Sequence, residues 1–205
     1  QNDPLHLYRV RAIEENRTYQ RTEIFHTPYH LREKVATCRY SISGFPSLYM
    51  GTALALCVEE SIQKSDRLFI GSKFQMNRST RDNGNINIQV MDLSIKPQDF
   101  LKVPGVDGNV FYSQQDGDDL AHRYLYWYPL IAACSFIRKS KNDPFSPEYI
   151  IPQLLMQWVR EQYVKSSHHE ELVGIRYFSC ASRKAAELGF NYVFPVSGKS
   201  EESLG

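Results

Sequence analysis

Arg39, Tyr49 and Glu60 bring a guanidinium, an aromatic ring and a carboxylate into one short stretch of chain. They belong to Cys38-Arg39-Tyr40-Ser41-Ile42-Ser43-Gly44-Phe45-Pro46-Ser47-Leu48-Tyr49-Met50-Gly51 and to the run from Thr52 to Ser61 that follows it. The three fall at the ends of what read as consecutive strand, turn and helix. Such a trio suits an anionic, ring-bearing, ribose-containing ligand. Arginine takes phosphate, tyrosine packs on a flat ring, and glutamate serves sugar hydroxyls or a developing cation.

Glu60 carries most of that argument. On a helix over residues 53–62, at about 100° per residue, Leu56, Ala53, Cys57, Leu54, Val58, Ile62 and Ala55 cover a broad apolar arc. Glu60 projects inside the arc, between Leu56 and Ala53, because i+4 and i+7 neighbours share a face. Glu59 falls in the polar gap beside Gln63 and reads as a solvated residue. A carboxylate on a buried face costs several kcal/mol unless it is paired or opens onto a cavity. Two readings therefore stand side by side: a structural Glu60–Arg39 salt bridge, or a functional acid.

The positioning elements follow from hydrophobic period. Leu5 to Val10 alternates as a first strand, and a mixed polar connection runs to about Pro28. Arg39–Ser43 reads as a short strand before the Gly44/Pro46 turn, and Ser47–Met50 as another. The Glu60 helix follows with Thr52 as a candidate N-cap. Ile86, Ile88 and Val90 alternate, then Met91, Leu93 and Ile95 alternate in the opposite phase, which implies a bulge near Val90–Met91. Residues 103–119 are rich in Gly and Asp and read as an exposed loop. Asp118-Asp119 can start a helix from Leu120 to Phe136, whose aromatics Tyr124, Tyr126, Trp127 and Tyr128 read as core rather than a base-stacking platform, lacking interleaved basic residues. Pro152 fits the first turn of a helix to about Tyr163, with Leu154, Leu155, Trp158 and Val159 facing inward. Val173–Ser179 reads as a strand, and 197–205 as a flexible tail behind one domain over 1–196.

Length and charge narrow the classes. The 205 residues suffice for one domain with a sizeable core, and an apolar fraction of 42% excludes a disordered chain. Lys and Arg number 24 against 23 Asp and Glu, so no direct nucleic-acid footprint and no anionic-membrane footprint is visible. No apolar run approaches the ~20 residues of a membrane span. The start, Gln1-Asn2-Asp3-Pro4, has neither the basic beginning nor the apolar stretch of a signal peptide. It also lacks Met, as in a processed or trimmed piece of something longer. Four scattered cysteines, Cys38, Cys57, Cys134 and Cys180, read as reduced thiols, and the expected location is cytoplasmic. His26 and His30, or His168 and His169, come without a third ligand at useful spacing, so no metal is expected.

The order of motifs resembles the RES family. Leu7-Tyr8-Arg9-Val10, Arg39-Tyr40-Ser41, Ser47-Leu48-Tyr49-Met50-Gly51 and Glu60 are similar to its N-terminal half, and Gly174-Ile175-Arg176-Tyr177-Phe178-Ser179 to its late serine motif. Ser182 is a nearby competitor for that serine. The resemblance implies an α+β fold: a split, mostly antiparallel sheet like that of ADP-ribosyltransferases, with flanking helices. It implies a bacterial toxin of a toxin–antitoxin system that consumes NAD by cleaving the nicotinamide–ribose bond. Water would make it a hydrolase (an NAD glycohydrolase), and phosphate as co-substrate a transferase (an NAD phosphorylase). NAD is then substrate, and no cofactor is needed. An antitoxin with a helix-turn-helix DNA-binding part is the implied partner, and a homodimer is allowed.

The same resemblance assigns roles. Glu60 would stabilise an oxocarbenium-like transition state. Arg39 would clamp the pyrophosphate, Tyr49 pack against nicotinamide or its ribose, and Ser179 hydrogen-bond a phosphate or the carboxamide. Tyr40 and Arg9 join the NAD-binding set, although Arg9 equally reads as fold-supporting. From the residues alone, Tyr49 reads as core packing and Ser179 as a strand-end hydrogen bond. The span from Glu60 to Ser179 exceeds that of compact family members through insertions near 103–119 and 138–148. The alternatives are an ADP-ribosyltransferase acting on a macromolecular acceptor, or a non-catalytic nucleotide-binding module.

Overall fold

The computed structural model describes residues 5–61, 68–75, 80–81, 84–85, 87–96, 114–139, 145–165 and 170–196. Strands β1 (His6–Ile13), β2 (Ser47–Gly51), β3 (Leu68–Gln75), β6 (Asn87–Leu93), β7 (Glu170–Phe178) and β8 (Phe190–Pro195) form one sheet, ordered β3-β1-β2-β8-β7-β6. β4 (Thr80–Arg81) and β5 (Gly84–Asn85) pair separately. Helices α1 (Arg21–Ile24), α2 (Leu54–Ser61), α3 (Gln114–Ser135), α4 (Ile150–Lys165) and α5 (Arg183–Glu187) flank the sheet.

The sheet is mixed, which corrects the expectation of a mostly antiparallel one. β1 pairs antiparallel with β2 and β3, as β8 does with β2 and β7, but β6 runs parallel to β7. Parallel neighbours require a crossover, and the long connection carrying α3 and α4 supplies it. Between β1 and β2 the ladder registers a single pair, Tyr8 opposite Gly51. The bulge expected near Val90–Met91 is present one residue earlier, as a register shift between Gln89 and Val90.

Side-chain alternation divides the core into two clusters, one on each face. Tyr49, Ile175, Tyr177, Val193 and Leu93 face α3 and α4. Leu7, Leu48, Met50 and Tyr192 occupy the other face with Phe25 and Phe74. Both helices present narrower stripes than the sequence suggests. On α4 the inward residues are Pro152, Met156 and Val159 with Leu155 beside them, an i, i+4, i+7 stripe, whereas Leu154 is 59% exposed and Trp158 44%. On α3, which begins inside the expected 103–119 loop, only Tyr124 of the aromatic run is buried, with Ile131 and Cys134 on the same side. Leu125, Tyr126, Trp127 and Tyr128 are exposed, so the reading of the aromatic run as core holds for Tyr124 alone.

Two local expectations also change. Arg39–Ser43 is a turn rather than a strand, closed by reciprocal backbone bonds between Cys38 and Ser41 (2.9 and 3.2 Å). Thr52 does not cap α2; its Oγ1 accepts from the Phe190 N–H at 2.9 Å while its own N–H donates to the Phe190 carbonyl. The threonine thereby extends the β2–β8 ladder by one step. The 197–205 tail, residues 103–113 and 140–144 of the two insertions, and His168-His169 lie outside the described residues.

Candidate functional site

Glu60 owes its position to the close approach of α2 to the sheet. Gly51 ends β2 directly beneath the helix, where an added Cβ would lie 2.8 Å from Cys57 Sγ and 3.2 Å from Leu56 Cδ2. Without a side chain there, the Cys57 thiol reaches the Tyr8 carbonyl (3.1 Å) and Leu56 is fully buried. Glu60 follows Leu56 by one turn and so aims along the same face.

Its carboxylate meets two buried donors. Ser179, just beyond the end of β7, donates from Oγ to Glu60 Oε1 at 2.5 Å. Asn191 of β8 donates from Nδ2 to the same oxygen at 2.6 Å. Both donors are almost inaccessible, at 2% and 4% exposure. The Ala181 N–H donates to Ser179 Oγ (3.2 Å), which leaves the serine hydroxyl hydrogen for Glu60. Ser182, the competing serine, is instead the N-cap of α5, accepting from the Ala185 N–H. Among the described residues no cation pairs with Glu60, so the structural Glu60–Arg39 salt bridge is not formed.

Arg39 is held from the other side. Its Nη1 donates to the carbonyls of Cys134 (3.0 Å) and Phe136 (2.9 Å) at the C-terminal end of α3, where the helix dipole favours a cation. The Tyr149 ring lies 5.2 Å from the guanidinium carbon. Nη2 and Nε make no hydrogen bond among the described residues. Tyr49 and Tyr40 are joined: the Tyr49 hydroxyl accepts from the Tyr40 N–H (3.1 Å) and shares a 2.8 Å bond with Ser41 Oγ. Burial pushes the Tyr49 hydroxyl well above a tyrosine's ordinary value, so it stays protonated.

Tyr177 sits between the two halves. Its ring packs on Tyr40 at 4.7 Å between centroids. Burial raises its hydroxyl far above the ordinary range, the Glu60 charge adds to this, and the Arg39 charge opposes it. The Cys180 thiol is likewise raised by burial, with Arg39 and Glu60 pulling in opposite directions. Both charges are therefore felt at Tyr177 and Cys180, and among the described residues they form no ion pair with each other. Glu60 with Ser179, and Tyr40 with Tyr49, are brought into direct contact, whereas Arg39 touches the end of α3 and Tyr149.

Arg9 is not part of this group. Tyr8 is registered opposite Gly51, on the site face, so Arg9 points to the other face and donates to the Ile24 carbonyl at 2.9 Å. Burial, reinforced by Arg11, lowers its guanidinium to about 10, and it supports the packing of α1 on the sheet. That other face also holds a cavity of about 270 Å³ lined by Leu7, Phe25, His26, Leu48, Met50 and Phe74 among others. None of Arg39, Tyr40, Tyr49, Glu60, Ser179 and Asn191 lines it, and its wall is mostly apolar. Glu59 is less idle than the helical arc suggests: Lys184 Nζ and Ser182 Oγ donate to it (2.9 and 3.3 Å), tying α2 to α5 across a largely exposed bridge.

Asn191 and Tyr177 are the members that the sequence did not disclose. Both were visible in principle. Asn191 is a polar residue within the apolar strand Phe190-Asn191-Tyr192-Val193-Phe194 on the face shared with Val193, the kind of exception that singled out Glu60.

A Bacillus subtilis (strain 168) protein named "Putative toxin YopC" is 29% identical to the chain over 202 residues. That match takes in 97% of this chain but 42% of the relative, so the chain spans about two fifths of that protein's length. No family model matches the chain. No solved structure matches it. Among the described residues no helix is long and apolar enough to cross a membrane.

Proposed function

We propose that this chain is an NAD-consuming toxin that cleaves the nicotinamide–ribose bond. The observation that carries the reading is a Glu60 carboxylate held by two neutral donors that, among the described residues, pairs with no cation, Arg39 included. A structural acid on a buried face would be expected to take a cation. Here the two charges stay apart, an arrangement that suits a ligand carrying a cationic ring at one end and phosphates at the other. The toxin part rests on the relationship to the YopC protein and on the likeness of the Arg39, Glu60 and Ser179 motifs to the RES family.

The chemistry needs little more than placement. Nicotinamide in NAD is a cationic leaving group, so the C1′–N bond breaks with its electron pair passing to the ring nitrogen and no general acid is required. Positive charge then develops on the ribose, where a fixed carboxylate in a partly dehydrated site stabilises it. Arg39 would use Nη2 and Nε for the pyrophosphate while Nη1 remains anchored to α3. Tyr49, whose hydroxyl is already engaged, would offer its ring face rather than a proton. Water attacking C1′ would give ADP-ribose and a proton, and phosphate would give its ADP-ribosyl ester. An antitoxin that covers this face is the partner this reading requires, and an ADP-ribosyltransferase-like fold is the one it expects.

The test is nicotinamide release from NAD by the purified chain, with and without phosphate, beside Glu60→Ala. Release that falls steeply in the variant supports the reading, and the parent's phosphate dependence identifies the acceptor. Label appearing on protein or nucleic acid instead of free ADP-ribose would assign a transferase. Binding of NAD without release would leave a nucleotide-binding module.

A further inference from the structure

We infer that Asn191 is the positioning residue that decides which oxygen of Glu60 the site presents to the ribose. The inference rests on the NAD-cleaving reading for its chemistry, and on geometry alone for the placement. Asn191 and Ser179 both donate to Oε1, at 2.6 and 2.5 Å. Oε2 accepts no hydrogen bond among the described residues, and it is not among the buried atoms left without a partner. One oxygen is thus tethered and the other is left for a ligand.

The two tethers differ in what holds them. Ser179 lies beyond the last residue of β7, in irregular chain. Asn191 lies inside β8, opposite Gly51 on one neighbour and Tyr177 on the other. The residue before it, Phe190, is clamped to Thr52 through both N–H and carbonyl. Gly189 completes the clamp: its φ is +148°, and a Cβ there would meet Thr52 Oγ1 at 2.3 Å. Thr52 stands between β2 and α2, so one joint fixes both the strand that carries the amide and the helix that carries the acid. The amide is also uncharged. A lysine or arginine in its place would orient Glu60 equally well but would cancel the negative charge that the developing cation needs.

Nicotinamide release is to be measured for the parent, Asn191→Ala, Asn191→Asp, Glu60→Ala and the Glu60→Ala/Asn191→Ala double variant, with melting curves to establish folding. Asn191→Ala should lower kcat by about 10- to 100-fold with little change in KM, as loss of a group that orients a reacting one does. Asn191→Asp, of the same outline but with no N–H, should fall at least as far. In the Glu60→Ala background Asn191→Ala should cost nothing more, because the group it positions is gone. A crystal structure of Asn191→Ala should show the Glu60 carboxylate displaced by about 1 Å, a misplacement sufficient for such a loss. Parental kcat in Asn191→Ala, effects additive with Glu60→Ala, or an unmoved carboxylate would overturn the inference. Should the parent release no nicotinamide, the NAD reading fails, and the Glu60 displacement alone decides the role of Asn191.

Discussion

Glu60→Gln and Glu60→Ala separate the charge of this residue from its structural duty. In Glu60→Ala two buried donors, Ser179 Oγ and Asn191 Nδ2, lose their acceptor. An unsatisfied buried donor costs about 1–3 kcal/mol. Ser179 can rotate its hydroxyl, and water can enter because Glu60 is only half-buried, so a total near 2 kcal/mol is expected. For a chain of this size that is roughly 4–8 °C in Tm. Glu60→Gln keeps a carbonyl oxygen for both donors and should melt within about 3 °C of the parent. Its activity should nevertheless fall by about 10²–10³-fold, the 2.7–4 kcal/mol that a preorganised electrostatic group supplies. Paired melting curves and nicotinamide release measure both quantities on the same samples. Parental turnover in Glu60→Gln would remove the charge from the mechanism. A Glu60→Gln variant as unstable as Glu60→Ala would refute the two-donor geometry instead.

Gly51→Ala should force α2 outward, since its Cβ would lie 2.8 Å from Cys57 Sγ; a loss of about 1–3 kcal/mol and of most turnover is expected, partly recovered by adding Cys57→Ala, and parental activity in the single variant would contradict it. Arg39→Ala removes charged bonds to the Cys134 and Phe136 carbonyls as well as the proposed anion clamp, so calorimetry should show weaker NAD binding and melting a stability loss of about 1–3 kcal/mol. Unchanged NAD affinity would confine Arg39 to a structural role. Burial, then the charge of Arg9, lowers the His26 imidazole below its ordinary 6.5, so the folded chain refuses a proton that the unfolded chain accepts. Its stability contribution is present above pH 6.5 and is lost as pH falls below it. Melting should drop between about pH 7.5 and about pH 5. The drop should be smaller in His26→Asn, and an equal drop in both would place the sensitivity elsewhere.

Local period and residue type made most elements legible, and they made Glu60 stand out. β1, β2, α2, α4 and β7 lie where alternation or helical spacing places them, because each buries an apolar side that the chain must write into its own order. The bulge in β6 was readable for the same reason: a phase slip in alternation is a change of face. Misreadings cluster where a neighbour supplies the partner. Arg39–Ser43 has strand-like residues but no adjacent strand to bond with, so it closes on itself as a turn. Thr52 looks like a cap, yet a neighbouring strand takes its hydroxyl. The α3 aromatics look like core, but a helix on one face of a sheet buries a single stripe, and only Tyr124 falls on it.

The candidate site divides along the same line. Tyr40 and Ser179 entered only through the resemblance to the RES family, whereas the sequence by itself placed Glu60 on an apolar face and made Arg39, Tyr49 and Glu60 a trio suited to one ligand. These are properties of residue type and short spacing, set within a few turns of chain. Only the tertiary structure decided which of them meet. Ser179 and Asn191 reach Glu60 across separations of 119 and 131 residues, Arg39 turns to the end of α3 rather than to the acid, and Arg9 lands on the far face. Such choices depend on sheet order and on which face a register presents, and a one-residue shift would reverse them without altering any local pattern.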